Sequence, residues 1–147
     1  MQFDYVPQTC VWELTLKCNM RCIHCGSSAG KARDNELSLK ECLSVADQLM
    51  HLGCKYLTLI GGEVFLYEGW EKLARKLSEG GVDVNIITNA YQFGDEQIEQ
   101  IRYGKLGNVG LSLDGMEESH NRIRNSKTSF QRVMKAIDRL NEEDIST

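Results

Sequence analysis

The chain has 147 residues, 41% of them hydrophobic and 26% charged, with a formal net charge of -4, a balance that fits one globular domain with its own core and excludes disordered or fibrous chains. Lysine and arginine are scattered with no basic face, which argues against a nucleic-acid partner, and no window approaches the roughly 18 apolar residues that cross a bilayer. The first thirty residues hold no leader pattern, so no membrane association and a cytoplasmic location are expected.

In chain order, short β-rich runs alternate with segments of helical period, the pattern of an α/β fold with a parallel sheet and crossover helices. The first predicted strand runs from Val11 to Lys17, and a loop with three cysteines in eight residues follows, Cys18, Cys22 and Cys25. Ser38 and Glu41 form a capping-box pattern ahead of Leu39, Cys42, Leu43, Ala46, Leu49 and Met50, which predicts an amphipathic helix closed by Gly53. Tyr56 to Ile60 reads as the second strand, ending in Gly61-Gly62-Glu63. Trp70, Leu73, Ala74 and Leu77 then fall at helical spacing before Gly80-Gly81. Val82 to Thr88 is the third strand, a short helix surrounds Ile98 and Ile101, and Asn108 to Leu113 is the fourth strand. Phe130, Val133, Met134, Ile137 and Leu140 predict the buried stripe of a last helix.

The polar signatures all follow strands: the cysteine loop, Gly61-Gly62-Glu63, Thr88-Asn89, and Ser112 with Asp114. In parallel α/β sheets and barrels the carboxyl ends of the strands share one rim, where ligands bind. The cysteine spacing C-x3-C-x2-C supplies three thiolates and no fourth, which would leave one iron of a cubic iron-sulfur cluster free for chemistry. Three thiols crowded into one loop, with Cys10, Cys42 and Cys54 spread singly, fit a metal centre in a reducing compartment better than disulfides. Zinc is the alternative ion, although His24 lies too close in sequence to complete a tetrahedron comfortably. Cys10, Cys42 and Cys54 read as buried thiols, and Asp114 is equally compatible with a turn former and a functional residue.

With CNMRCIHC, GGE, TNA and SLDG at successive strand ends, the chain resembles the radical S-adenosylmethionine (radical SAM) superfamily from about Val11 onward. The resemblance implies a [4Fe-4S] cluster on Cys18, Cys22 and Cys25 whose free iron binds S-adenosylmethionine. It further implies reductive cleavage of that cofactor to a 5'-deoxyadenosyl radical, which abstracts hydrogen from a substrate. By matched position, Gly61 and Gly62 approach the methionine moiety and Glu63 accepts a hydrogen bond from its ammonium. His24 packs near the adenine, Ser112 contacts the ribose or carboxylate, and Arg124 offers a fork to a carboxylate. The stretch from His120 to Arg124, followed by Ser129-Phe130, is similar to the H-D-x-x-R and S-F signature of peptide- and protein-modifying members of the SPASM type. A peptide or protein substrate, and an electron donor such as flavodoxin or ferredoxin, are the partners so implied.

Three positions depart from the family pattern: Val64 replaces a common proline, Ala90 a glycine and Asn121 an aspartate. The resemblance implies a partial TIM-like (β/α)6 barrel, of which residues 1–147 hold about four units. At roughly 30 residues per strand and crossover, about 60 residues of core would be lacking, namely strands five and six, as would any auxiliary-cluster domain. The fourth strand, with Val109, Leu111 and Leu113, is then expected to be an apolar edge open to self-association. The readings are accordingly a radical SAM enzyme or its N-terminal part, a catalytically silent iron-sulfur module that needs a partner chain, and, as the outsider, a zinc-binding structural domain.

Overall fold

The computed structural model describes residues 6–147. Its strands are β1 (Thr9–Thr15), β2 (Tyr56–Gly61), β3 (Asp83–Thr88) and β4 (Asn108–Leu111); its α-helices are α1 (Leu39–His51), α2 (Trp70–Glu79), α3 (Asp95–Gly104), α4 (Glu117–Ile123) and α5 (Ser129–Glu142). The strands form one parallel sheet in the order β1-β2-β3-β4. Each strand thus lies beside its successor, as successive crossovers of one hand require.

The period-two alternation of the strands decides where the core lies. Leu57 and Leu59 of β2, Val84 and Ile86 of β3, and Val109 of β4 are buried on the face that the helices cover. They pack with Cys42 and Ala46 of α1, Leu73, Ala74 and Leu77 of α2, Ile98 and Ile101 of α3, and Leu140 of α5. The opposite face holds alternate residues and, among the described residues, has no helical layer, so Val11 is 62% and Ile87 46% exposed. A parallel sheet in a closed α/β fold is covered on both faces, and this sheet is covered on one.

Helix boundaries follow local chemistry. The Ser38 hydroxyl accepts from the Glu41 N–H and the Glu41 carboxylate accepts from the Ser38 N–H, which completes the expected capping box on α1. The thiols of Cys42 and Cys54 are buried, and Cys10 packs against the core beside them.

Some expectations shift. β1 runs two residues earlier than predicted, because the bulge between Glu13 and Thr15 ends the regular ladder. β4 ends at Leu111, which places Leu113 beyond the sheet at 47% exposure. Val109 is fully buried, so the fourth strand is not bare along its whole free edge: Val109 N–H donates to the Ser146 carbonyl (2.9 Å) and Ile145 packs against the core. Helix α4, seven residues long, was not expected; its N-cap residue Met116 makes no side-chain capping bond, so the usual sequence signal is missing.

Candidate functional site

The cysteine loop is a closed excursion from the end of β1, shut by a parallel bridge between Lys17 and Gly30. Cys18 N–H donates to the Gly30 carbonyl (3.1 Å) and Gly30 N–H to the Leu16 carbonyl (2.8 Å), which returns the chain to its starting point. Arg21 fastens the turn by donating to the carbonyls of Cys18 (3.0 Å) and Met20 (2.7 Å). Ile23 N–H donates to the Ile123 carbonyl (3.0 Å), which ties the loop to the end of α4.

Each sulfur in the loop is faced by a donor. Met20 N–H points at Cys18 Sγ (3.4 Å) with Asn89 Nδ2 beside it (3.8 Å), Ala29 N–H points at Cys25 Sγ (3.3 Å), and Arg124 Nη1 lies 3.9 Å from Cys22 Sγ. Donors of this kind stabilise thiolates and tune iron-sulfur clusters. All three thiols are free of disulfides and open on one cavity of about 470 Å³.

Of the residues expected at the site, His24, Gly61, Gly62, Ser112 and Arg124 share that cavity with Cys18, Cys22 and Cys25. Asn89 lines it too, although sequence reasoning marked its strand end and gave the side chain no role. Its signal was the TNA tripeptide itself. Asn89 Nδ2 also donates to Asn19 Oδ1 (3.0 Å), so β3 holds the cysteine loop in place.

Gly61 and Gly62 are required first by the scaffold. A Cβ on Gly61 would meet the Thr15 carbonyl oxygen at 2.6 Å, and one on Gly62 would meet the Leu16 carbonyl oxygen at 2.7 Å. Their bare backbone lets β2 cross closely over the end of β1, and the same bareness faces the cavity.

Glu63 is only 3% exposed and stands outside the cavity lining. Its carboxylate accepts from Thr88 Oγ1 (2.8 Å), Asn89 N–H (2.9 Å) and Phe65 N–H (3.3 Å). Burial pushes this carboxyl above its ordinary range, and the three donors with the nearby Arg124 charge offset that only in part.

The fork of Arg124 holds Asp114: Nη2 donates to Oδ1 (2.9 Å) and Nε to Oδ2. His24 Nε2 lies 3.5 Å from the same carboxylate. Burial raises the Asp114 carboxyl, but the paired Arg124 charge, with His24 and His120, brings it below the ordinary aspartate value. His120 is fully buried. Its Nδ1 accepts from Asp114 N–H (3.2 Å), so its proton sits on Nε2, 2.9 Å from Ser129 Oγ. His120 is therefore a satisfied structural side chain. Where the family pattern has aspartate, Asn121 Oδ1 accepts from Phe130 N–H (2.9 Å) at the start of α5, a bond that either residue can make.

A single zinc ion draws sulfur ligands to about 2.3 Å, and among the described residues no three His, Cys, Asp or Glu side chains are gathered as such a site. Three thiols that open on one cavity of about 470 Å³, each faced by a donor, leave room for a ligand beside an inorganic group.

A one-sided parallel α/β sheet with three thiols, a glycine pair and an arginine at its carboxyl rim defines a cofactor-binding α/β protein of open-barrel form. The Radical SAM superfamily model matches residues 12–147, and the chain belongs to the radical SAM superfamily, whose members use a [4Fe-4S] cluster and S-adenosylmethionine. It is 35% identical over 97% of its length to the sporulation killing factor maturation protein SkfB of Bacillus subtilis. It is 31% identical over 92% of its length to the Fe-coproporphyrin III synthase of Methanosarcina barkeri. The chain spans 35% and 34% of those two relatives, about a third of each. SuiB of Streptococcus suis, solved bound to S-adenosylmethionine, has the same fold over 93% of this chain and 32% of its own, with a TM-score of 0.80 at 21% identity. Among the described residues no helix is long and apolar enough to cross a membrane.

Proposed function

We propose that residues 1–147 are the N-terminal, cofactor-handling part of a radical SAM core that acts on a peptide or protein. The observation that carries this reading is the convergence of Cys18, Cys22 and Cys25, each sulfur faced by an N–H donor, on the cavity that also exposes Gly61, Gly62, Ser112 and Arg124. In this reading the three cysteines hold a [4Fe-4S] cluster. When bound, the cluster and S-adenosylmethionine supply one-electron cleavage of a carbon-sulfur bond and hydrogen-atom abstraction from the substrate.

The chain's own groups bind and orient. The exposed backbone at Gly61 and Gly62 accommodates the methionine moiety, Glu63 supplies negative charge behind it toward the ammonium, and Ser112 offers a hydroxyl to the ribose or carboxylate. His24 sits at the cavity mouth, where a flat ring stacks on adenine, and Arg124 presents Nη1 beside the cysteines. Support for a peptide or protein substrate comes from the His120 to Arg124 signature and from a relative that is itself a maturation protein, that of the sporulation killing factor. A flavodoxin- or ferredoxin-type donor would supply the electron.

The test is anaerobic reconstitution with iron and sulfide, reduction, and measurement of 5'-deoxyadenosine after S-adenosylmethionine is added. Cluster absorption with 5'-deoxyadenosine formation is expected, and colourless protein that carries zinc would sink the iron-sulfur reading. Cys22→Ala should abolish the cluster; a variant with full cluster content would remove Cys22 from the ligand set.

A second reading is favoured by one observation, the uncovered sheet face with Val11 and Ile87 exposed. Here the chain binds the cluster but turns over only when another polypeptide covers that face. Cluster absorption without 5'-deoxyadenosine would support it.

A further inference from the structure

We propose that Asp114 is the positioning residue of this rim: its carboxylate holds Arg124 by two hydrogen bonds, with His24 Nε2 3.5 Å away, and so aims the remaining guanidinium N–H groups at the cysteine loop. The inference rests on the reading of the rim as an S-adenosylmethionine site and assigns a role to a residue outside the proposed ligand set. Three chain segments meet at this carboxylate. Asp114 follows β4, His24 belongs to the cysteine loop, and Arg124 caps the end of α4.

Arg124 uses Nε and Nη2 on Asp114, which leaves Nη1 as the part of its fork that faces the site, 3.9 Å from Cys22 Sγ. A guanidinium is planar and rigid, so fixing one edge fixes the direction of the other. The Asp114–Arg124 pair is largely shielded from water, with side-chain exposures of 20% and 13%, and a pair so shielded is screened far less by solvent than a surface one.

Asp114 is itself held from behind. Its N–H donates to His120 Nδ1, and His120 Nε2–H donates to Ser129 Oγ at the start of α5. Arg124 N–H donates to the His120 carbonyl (2.8 Å), and Ile123, its neighbour, accepts from Ile23 of the cysteine loop (3.0 Å). The backbone on both sides of the ion pair is thereby fixed relative to the cysteines. Sites placed within a fraction of an ångström depend on supporting shells of this kind.

The experiment compares wild type, Asp114→Asn, Asp114→Glu, Arg124→Gln and the Asp114→Asn/Arg124→Gln double variant. Iron content is measured after anaerobic reconstitution, S-adenosylmethionine affinity by equilibrium dialysis, and protection of the Arg124 Nε–H by NMR in the iron-free protein. Asp114→Asn should keep wild-type iron content, bind S-adenosylmethionine about 10-fold to 100-fold more weakly, as loss of an outer-shell partner does, and lose the Nε–H protection. The double variant should be no weaker than Arg124→Gln alone, because the carboxylate acts through the arginine, and Asp114→Glu should recover part of the affinity. Wild-type affinity in Asp114→Asn, additive losses in the double variant, or retained Nε–H protection would each overturn the proposal. Wild-type protein that takes up iron but binds no S-adenosylmethionine would sink the proposed function instead, and the NMR arm would still decide whether Asp114 positions Arg124.

Discussion

Glu63 shows how a residue's chemistry is set by what surrounds it. With its folded-state value raised by burial, the native state holds the Glu63 proton more tightly than the unfolded chain does, so its contribution to stability is full below the ordinary glutamate value and is lost as pH rises through the raised one. Thermal unfolding of the iron-free protein across that window should show wild type losing stability relative to Glu63→Gln as pH rises; a pH-independent difference would contradict it. Gly62 makes a separate prediction. Because its added Cβ would meet the backbone carbonyl oxygens of Leu16 and Lys17 just past β1, which cannot rotate away, Gly62→Ala should cost about 2 kcal/mol in urea unfolding of the iron-free protein, within the range for overpacking. A purely cofactor-facing glycine would tolerate alanine without that loss. Ala90 shows the reverse case: it takes the left-handed backbone (φ 54) that glycine favours, but its methyl is buried against Val133 and Ala136, so packing offsets part of the backbone cost.

At the scale of elements, helices with a regular apolar stripe were legible, and the seven-residue α4 was not. The capping box on α1 followed from Ser38 and Glu41 alone, and Ser38→Ala should lower stability by about 1 kcal/mol, measured as a fall in the urea midpoint. The α5 stripe was legible only in part: Val133 and Leu140 are buried as expected, but Met134 is 38% exposed and Ala136 takes the inward place. Side-chain size misleads here, because the inward face is set by the close approach of α5 to Ala90 and Leu111, where a methyl fits. Leu140→Ala should therefore cost about 2–5 kcal/mol, and Met134→Ala less than about 1 kcal/mol, in the same measurement. The thiols, the glycine pair and Ser112 were legible because their motifs fall at strand ends, which a parallel sheet gathers on one rim, and Arg124, at the end of α4, was legible only through the His120 to Arg124 signature. The roles of Asn89 and Asp114 were not, since each depends on which loop the fold brings against it.

At the scale of the molecule, the one-sided sheet governs how the chain behaves on its own. The uncovered face carries Val11 and Ile87, well exposed, with Ile60 partly buried between their strands, and the free edge of β4 is met by the tail at Asn108 and Val109, both through Ser146. An apolar sheet face next to an unpaired edge is a template for a second chain. The Ser146 carbonyl already engages Val109 N–H, so pairing by another strand would begin beyond that point, along Leu111. Sedimentation of the isolated chain should show concentration-dependent self-association. Ile87→Lys, placed on the uncovered face, should weaken that association while leaving the unfolding midpoint near wild type, because Ile87 contributes little to the core on the other side. A strictly monomeric wild type, or an Ile87→Lys variant that associates equally well, would show that the open face is not what brings copies together.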